Sequence, residues 1–279
     1  MMDLTTKPLL IFGGNYSNLQ ATLALQAWAR DNHFSPEQIV CTGDIVAYCA
    51  NPVETIDIIR DWLGDKGHCI QGNVEQSLAE SAEDCGCGFT EGSTCDALSR
   101  SWYSYAEKKI TIEQRQWFAS LPQQLYFNYH DRKIQLVHGA PSNISRFMFA
   151  SQNDADFSEE FMTIGNEVDI IIAGHSGIPF TKKIILADGQ EKIWHNSGAL
   201  GMPANDGTSR VWFSVLKMLE GEIGIHHHSL DYDASLAQQA MSEAGLTQGY
   251  ELALINGLWP SMDVLPEFES SQRGVEIKI

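Results

Sequence analysis

The chain has 279 residues, of which 43% are hydrophobic, enough to bury the core of one large α/β domain or two small ones. It carries 18 Lys and Arg against 36 Asp and Glu, and the resulting net charge of −18 disfavours nucleic acid polymers and anionic membranes as partners. No apolar run is long enough to span a bilayer, and the N-terminus lacks the basic-then-apolar layout of a signal peptide. We therefore expect a cytoplasmic protein whose six cysteines are free thiols.

The first part of the chain alternates between short apolar runs and amphipathic stretches. Such alternation is typical of parallel strands joined by crossover helices. The predicted elements are, in order, a strand over 8–12, a helix over 19–30, a strand over 38–41, a helix from Asn51-Pro52 to about 63, and a strand over 68–71.

The alternation breaks after residue 80. Residues 81–99 are small and polar and include Cys85, Cys87 and Cys95, and helical patterns rich in Trp and Tyr follow to about residue 120. The cysteines show no paired Cys-x-x-Cys spacing and have no fourth ligand close by in sequence. A glycine-rich lid loop with incidental cysteines is therefore favoured over a zinc or redox site.

From residue 125 the pattern becomes β-like. Strands are predicted over 133–137 and 168–173, and four later strands with turn signals between them suggest a second, mostly antiparallel sheet. The tract His226–His228 places alternate side chains on opposite faces of a strand, so a solvated edge strand is favoured over a metal tract. A helix is predicted over 233–244, and the proline-containing tail is expected to be flexible from about residue 258. We predict one domain over 1–279.

Four of the predicted strands end in a small turn that carries a possible metal ligand. Their side chains make a mixed set of oxygen and nitrogen donors that suits Mn, Fe or Zn better than Mg or Ca. The glycine beside each of them permits the sharp turn that would point the side chain inward. Each residue alone is readily explained as an ordinary loop residue, but the recurrence favours a joint site. The four candidates are Asp44, Asn73, His138 and His175.

The residues around these turns form a specific set of motifs. The set comprises Gly43–Tyr48 with Asn51-Pro52, Gly72-Asn73, Leu136–Pro141, Gly174–Phe180 and Asn196–Pro203. With these motifs the chain resembles the calcineurin-like metallophosphoesterases, in particular the small bacterial and archaeal phosphodiesterases. The resemblance implies a two-sheet α/β sandwich in α/β/β/α layers with mixed parallel and antiparallel sheets. It also implies a variable cap at about 80–120 and a two-metal catalytic site.

The chain departs from the family pattern at one half of that site. Gly14 and Tyr16 stand where the family has the Asp-x-His ligands of the first metal, and Gly177 replaces the second His of Gly-His-x-His. Val74 replaces the His that helps to protonate the leaving group or to bind the phosphoryl group. One half of the site therefore looks dismantled, and phosphoesterase activity is expected to be weak or lost.

The four ligands of the second metal all remain. The resemblance implies that Asp44, Asn73, His138 and His175 bind one divalent ion, Mn, Fe or Zn, with Asp44, Asn73 and His138 as catalytic residues. The leading hypothesis is a divergent metallophosphoesterase that hydrolyses a small phosphodiester or phosphomonoester. The alternative is a non-catalytic pseudo-phosphoesterase that binds no metal and serves as a binding or interaction module for a protein partner.

Three further residues are candidates for contacting a small phosphorylated substrate. Arg146 suits the positioning of a phosphate. Asn18 and His195 are expected near the entrance of the candidate site. The Tyr16 phenol has three interpretations: a ligand for Fe(III), a donor to a phosphoryl oxygen, or a filler of the space left by the missing metal. Space-filling is favoured among the three.

Overall fold

We analysed a computed structural model, which describes residues 2–4, 6–165 and 167–278. Its strands form two sheets with helices on their outer faces. The strands are β1 (Met2–Asp3), β2 (Leu9–Phe12), β3 (Ile39–Cys41), β4 (His68–Cys69), β5 (Leu125–Tyr129), β6 (Arg132–Leu136), β7 (Ile170–Ala173), β8 (Phe180–Ile185), β9 (Glu191–Asn196), β10 (Val211–Leu219) and β11 (Glu222–Leu230).

The helices predicted over 19–30, from 51 to about 63 and over 233–244 are observed close to those bounds, and four other helices of the described residues were not predicted. Asn18 caps the first helix, Pro52 opens the second, and Thr111 and Asp233 cap two later ones. The helices are α1 (Leu19–Asp31), α2 (Pro52–Leu63), α3 (Asn73–Glu80), α4 (Thr94–Lys109), α5 (Ile112–Ser120), α6 (Asp154–Thr163), α7 (Ala234–Glu243), α8 (Tyr250–Asn256) and α9 (Glu267–Ser271). None of the helices in the described ranges is both long and apolar enough to cross a membrane.

Both sheets mix parallel and antiparallel pairs. One has the strand order β11-β10-β2-β3-β4, and the other has the order β1-β5-β6-β7-β9-β8. Strands β2, β3 and β4 run parallel, while β10 pairs antiparallel with β2. In the second sheet β6, β7 and β9 run parallel, and β8 pairs antiparallel with β9.

Three apolar clusters separate the layers. A central cluster holds residues of both sheets, such as Ile11 and Val40 from one and Phe127 and Ile172 from the other. A second cluster packs α1, α2, α4 and α7 onto the five-stranded sheet, and a third packs α6 onto the six-stranded sheet. The architecture is therefore the predicted two-sheet α/β/β/α sandwich, because each sheet buries one face against the other sheet and one against helices.

One expectation about the sheets is wrong. The four late strands do not form a separate antiparallel sheet, because β8 and β9 extend the six-stranded sheet whereas β10 and β11 extend the five-stranded sheet. The reason lies in burial: residues 211–216 of β10 are buried, as befits a central strand between β2 and β11. Strand β11 is an edge strand, as predicted for the histidine tract.

The segment after Gly257 makes specific contacts with the body of the protein. Trp259 donates from Nε1 to the Pro203 carbonyl at 2.6 Å, and the Glu269 carboxylate accepts from the backbone N–H of Ser151 at 3.0 Å. The flexibility expected from about residue 258 and the boundaries of the single domain and its cap stay predictions.

Candidate metal centre

The four candidate ligands follow strands β3, β4, β6 and β7, so the site lies where strands of both sheets end. The turns there are tight. A β-carbon on Gly43 would lie 2.5 Å from the Gly72 nitrogen, and one on Gly72 would lie 2.3 Å from Asp44 Oδ1. Asp44 and His175 have positive φ angles of 55° and 62°. Such strained backbone costs on the order of 1–3 kcal/mol per residue and is typical of functional sites.

The side chains of these four residues converge on one atom, His138 Nε2. It lies 3.0 Å from Asn73 Oδ1, 3.1 Å from His175 Nδ1 and 3.2 Å from Asp44 Oδ2. One ligand atom each from Asp44, His138 and His175 lies within 4.8 Å of the others. The four residues thus form the cluster that their positions in the sequence predicted.

The hydrogen bonding of His138 tests whether a cation fits this cluster. His138 Nδ1 lies 2.7 Å from the Thr42 carbonyl oxygen, which can only accept, so Nδ1 carries a proton. In the neutral ring Nε2 then presents a lone pair, and two oxygens that can only accept, Asn73 Oδ1 and Asp44 Oδ2, face it at 3.0 and 3.2 Å. Such an arrangement is repulsive unless a proton or a metal ion lies between the atoms. The residues therefore fit a divalent cation, with His138 oriented from behind by a backbone carbonyl.

The electrostatics of the metal-free cluster agree with this. Burial alone would lower the pKa of His138, but the Asp44 charge and hydrogen bond outweigh it, so that this pKa is raised. Burial and the charge of His138 lower the pKa of His175 to about 3, so His175 is neutral. Burial opposes ionisation of Asp44, yet the charge of His138 keeps the pKa of Asp44 below its usual value. Without metal, a proton on His138 therefore pairs with the ionised carboxylate of Asp44.

Sequence reasoning missed Glu75, which supports the cluster from behind. Its buried carboxylate accepts from the backbone N–H groups of Asp44 at 2.7 Å, Gly72 at 2.9 Å and Val46 at 3.2 Å. Burial and the charge of Asp44 raise the pKa of Glu75 to about 7. Its spacing three residues after Gly72, at the start of α3, is that of the acidic residue of a capping box, and this spacing offered a signal that could have identified it.

The cysteine loop also contributes more than predicted. Asn73 Nδ2 donates to the Cys85 carbonyl at 2.9 Å and to Cys87 Sγ at 3.3 Å. These two bonds fix the orientation of the carboxamide, so that Oδ1 faces His138. Cys85, Cys87 and Cys95 are buried free thiols. The loop therefore orients a candidate metal ligand in addition to covering the site.

An aromatic side chain fills the space beside Gly14, where the family resemblance would place the first metal. A β-carbon on Gly14 would lie 2.8 Å from Cζ of Tyr16, so the phenol ring occupies the space that a larger residue 14 would need. Likewise, a β-carbon on Gly177 would lie 3.3 Å from the ring of Trp259. Burial raises the pKa of Tyr16 far above its usual value, with a further contribution from Asp44, so the phenol keeps its proton. This geometry supports the space-filling interpretation.

The other predicted substrate contacts are engaged elsewhere. Asn18 caps α1 by accepting from Ala21 N at 3.1 Å and donates from Nδ2 to the Gly201 carbonyl at 3.0 Å. The Arg146 guanidinium pairs with the buried carboxylate of Glu160, so its charge is already neutralised. Substrate-binding roles for Asn18 and Arg146 stay predictions that this geometry does not support.

His195 lies away from the cluster, on strand β9. Its Nε2 lies 2.7 Å from Ser214 Oγ, and its Nδ1 lies 2.9 Å from Thr181 Oγ1. His227 from the histidine tract lies 2.9 Å from the same Thr181 oxygen, so this half-buried residue of the tract has a side-chain partner. The two histidines belong to a separate chain of hydrogen bonds that runs from buried His195 to exposed Thr181.

A family model for calcineurin-like phosphoesterases matches residues 11–199, a span that contains all four candidate ligands. The chain belongs to this family. Among sequence relatives, the uncharacterized protein MJ0912 of Methanocaldococcus jannaschii is 26% identical over 238 residues, covering 80% of this chain and 87% of that protein.

Solved structures show the same fold for this calcineurin-like phosphoesterase. A metallophosphoesterase from Sphaerobacter thermophilus superposes with a TM-score of 0.67 at 20% identity, covering 91% of this chain and 100% of that one. Hypothetical protein PH1004 from Pyrococcus horikoshii gives a TM-score of 0.73 at 17% identity, covering 90% and 98% of the two chains. At these identities the similarity supports the two-sheet fold and leaves the chemistry to the site residues.

Proposed function

We propose that this chain is a divergent metallophosphoesterase that hydrolyses a small phosphodiester or phosphomonoester with the help of a single divalent metal ion. The convergence of Asp44, Asn73 and His175 on His138 Nε2 carries the proposal. Three atoms that lie 3.0–3.2 Å from His138 Nε2 are costly to bury around it without a proton or a metal ion among them. The mixed oxygen and nitrogen donors favour Mn, Fe or Zn.

A metal ion bound there supplies Lewis-acid polarisation of a phosphoryl oxygen and a water of lowered pKa. Neighbouring groups of the chain hold the candidate ligands in position for that role. The Thr42 carbonyl fixes the tautomer of His138, the cysteine loop orients Asn73, and Glu75 holds the backbone of Asp44. Such preorganisation of the ligands keeps the centre from rearranging when substrate binds.

The residue that follows Asn73 cannot protonate the leaving group. Val74 is buried and apolar, so the position after Asn73 donates no proton. Without a general acid, hydrolysis depends steeply on the stability of the departing anion. We therefore expect substrates with acidic leaving groups, such as aryl esters, to be hydrolysed fastest, and alkyl esters slowly.

The second candidate function is a non-catalytic binding module. The packing of Tyr16 over Gly14 favours it, since this half of the site is filled by protein. Against it stands the set of four ligands and the supporting residues around them. In this alternative the partner is a protein. In the leading proposal it is a small phosphorylated molecule inside the cytoplasm.

Hydrolysis of an aryl phosphodiester series by the manganese-loaded protein distinguishes the two functions. We expect turnover of bis(4-nitrophenyl) phosphate that disappears in Asp44→Ala, with rates that fall steeply as the leaving-group pKa rises. Val74→His should flatten that dependence by supplying a proton donor. His226→Ala, at an exposed histidine on β11, is the matched control and should retain the wild-type rate. Absence of turnover in metal-loaded protein would favour the binding module.

A further inference from the structure

The candidate metal centre is closed off from solvent. Asp44 is 4% exposed, and Asn73 and His138 are each 1% exposed. The pocket that borders His175 measures about 50 Å³, whereas sites for small molecules usually measure about 300–1,000 Å³. A second cavity of about 260 Å³ touches His138 but none of the other three candidate ligands. A phosphorylated substrate therefore reaches the centre only if part of the protein moves.

Residues 258–264, which we call the strap, form one wall of the small pocket. Trp259, Ser261 and Val264 line this pocket together with His175. All three strap residues are also partly exposed to solvent. The strap is therefore a single layer of chain between the pocket and solvent, and its displacement would open the pocket.

The strap is attached firmly at its two ends. Before it, the Gly257 carbonyl accepts from the Gly207 N–H at 3.2 Å, and a β-carbon on Gly257 would lie 2.3 Å from the Thr208 nitrogen. After it, the Glu269 carboxylate accepts from the backbone N–H of Ser151 at 3.0 Å. Any opening of the strap therefore pivots on these two ends, as in other hinged lids.

Between its ends the strap has few backbone contacts. In the described part of the chain, no hydrogen bond between two backbone groups joins the strap to a residue before Gly257. Trp259 donates its backbone N–H to Asn205 Oδ1 at 2.8 Å and its indole N–H to the Pro203 carbonyl at 2.6 Å. A segment with so few backbone hydrogen bonds opens locally at a lower free energy than the strands and helices of the core.

Asp263 links the strap to the region predicted as the cap. Its carboxylate accepts from the backbone N–H groups of Thr94 at 2.7 Å and Cys95 at 3.4 Å, at the start of α4. A carboxylate is favoured there because these N–H groups form the positive end of the helix dipole. Asp263 is exposed, so breaking the contact leaves no charge buried in the protein. The contact therefore has the properties of a latch.

The side of the pocket formed by Phe147 is held more firmly than the strap. The next residue, Met148, donates its backbone N–H to Ser176 Oγ at 3.0 Å and accepts from the same hydroxyl at 2.7 Å. The preceding residue, Arg146, pairs with the buried carboxylate of Glu160. Of these two walls, the strap is the more easily displaced.

We propose that the strap is a lid over the candidate metal centre, and that release of Asp263 from the start of α4 lets it swing outward and admit the substrate. The opening does not depend on the proposed phosphoesterase function, whereas the admission of a substrate rests on it. The closed lid also keeps bulk water away from the buried ligands.

Thiol labelling tests the opening without metal or substrate. Cys95 lies under the strap, where it is 5% exposed and next to Ser261. Alkylation of the metal-free full chain with monobromobimane should be about tenfold faster in Asp263→Ala than in wild type, as expected for the loss of a charge-assisted hydrogen bond. The gain should vanish when Cys95→Ser is added. Ser93→Ala removes the side-chain cap of α4 but leaves the latch, and should label at nearly the wild-type rate.

A reversible cross-link tests whether the opening admits substrate. Ser261→Cys places a second thiol beside Cys95, so mild oxidation should join the strap to α4 by a disulfide. The oxidised, manganese-loaded variant should hydrolyse bis(4-nitrophenyl) phosphate about tenfold more slowly than the reduced variant, because the lid stays shut. Reduction should restore the rate. Wild-type protein taken through the same oxidation and reduction is the control and should keep its rate.

Two outcomes would overturn the proposal. One is labelling of Cys95 in Asp263→Ala that is no faster than in Ser93→Ala. The other is equal turnover by the cross-linked and the reduced forms of Ser261→Cys. Faster labelling in Asp263→Ala, together with no turnover by any metal-loaded form, would contradict the phosphoesterase function and support the opening of the strap.

Discussion

The ring of Tyr16 lies directly over Gly14, at a distance where a β-carbon on Gly14 would be 2.8 Å from Cζ of the tyrosine. The two residues at these positions, where the proposed function has no first metal, are thus complementary in shape. Gly14 is accommodated because Tyr16 fills its space, and Tyr16 fits because residue 14 has no side chain. The pair is therefore a packed arrangement and should resist substitution of one member alone.

Restoring one ligand alone should destabilise the protein. Gly14→Asp introduces the clash with Tyr16 and places a side chain at a φ of +59°, which together should cost about 2–4 kcal/mol. Gly14→Asp with Tyr16→His should cost less than the single variant, because the clash is removed. Urea denaturation measures both. Gly245→Asp, at a φ of +75° with no atom nearby, isolates the backbone strain and should cost clearly less than Gly14→Asp. Equal costs for Gly14→Asp and the control would show that Tyr16 does not block this position.

The cysteine loop should tune metal affinity through Asn73. Cys87→Ala removes one of the two acceptors that orient the Asn73 carboxamide and should weaken metal binding about tenfold. Cys87→Ser keeps an acceptor and should retain most of the affinity. Competition with a chromogenic chelator measures this, with Cys49→Ala, a buried cysteine outside the loop, as the control. An unchanged affinity in Cys87→Ala would contradict the positioning role.

Arg146 should matter for stability and hardly for catalysis. Glu160 is fully buried, and Arg146→Met would leave its carboxylate without its cationic partner, at a cost of about 3 kcal/mol. Arg146→Met combined with Glu160→Gln should recover part of that loss. Thermal denaturation gives the stabilities, and the hydrolysis rate per folded molecule should stay near wild type. A rate that falls much more than the stability would instead restore the predicted phosphate-binding role.

How much of the site could be predicted from the sequence depends on how far apart in the chain the interacting residues lie. Asp44 and His138 each follow shortly after a strand, and strand ends can be located from local apolar runs, so the four candidate ligands could be placed near one another from the sequence. The hydrogen bonds from Asn73 to the cysteine loop, and from Arg146 to Glu160, depend on how loops fold back in space. No local pattern encodes them, and both were missed.

In the fold, too, the features with a local sequence signal were predicted and the long-range pairings were not. Every strand that carries a candidate ligand was predicted close to its observed bounds, but the late strands were assigned to one sheet. Strand β10 joins β2, about two hundred residues earlier in the chain, and this long-range pairing leaves no local sequence signal. The composition of such a strand and its alternation of apolar and polar residues identify the strand itself but not the strand with which it pairs.

The histidine His227, half-buried on β11, should make stability depend on pH. Burial, followed by the neighbouring His228 and His226, lowers the pKa of His227 to about 4, so the folded state disfavours its protonation. The unfolded state takes up a proton below about pH 6.5. Stability should thus fall as the pH drops from 6.5 to about 4, by roughly 3 kcal/mol from this residue, and then level off.

Urea denaturation at several pH values checks this expectation. His227→Asn should flatten the dependence between pH 6.5 and 4, and the exposed His226→Asn should not. A wild-type slope in His227→Asn would contradict the assignment of that dependence to His227.

The metal content of untagged protein tests the account most directly. Elemental analysis should find about one equivalent of Mn, Fe or Zn, which is lost in Asp44→Ala and in His175→Ala and retained in His226→Ala. Two equivalents would contradict the account, since they would mean that the half filled by Tyr16 still binds a metal ion. No metal, even after reconstitution, would equally contradict it and leave the non-catalytic module as the function of this fold.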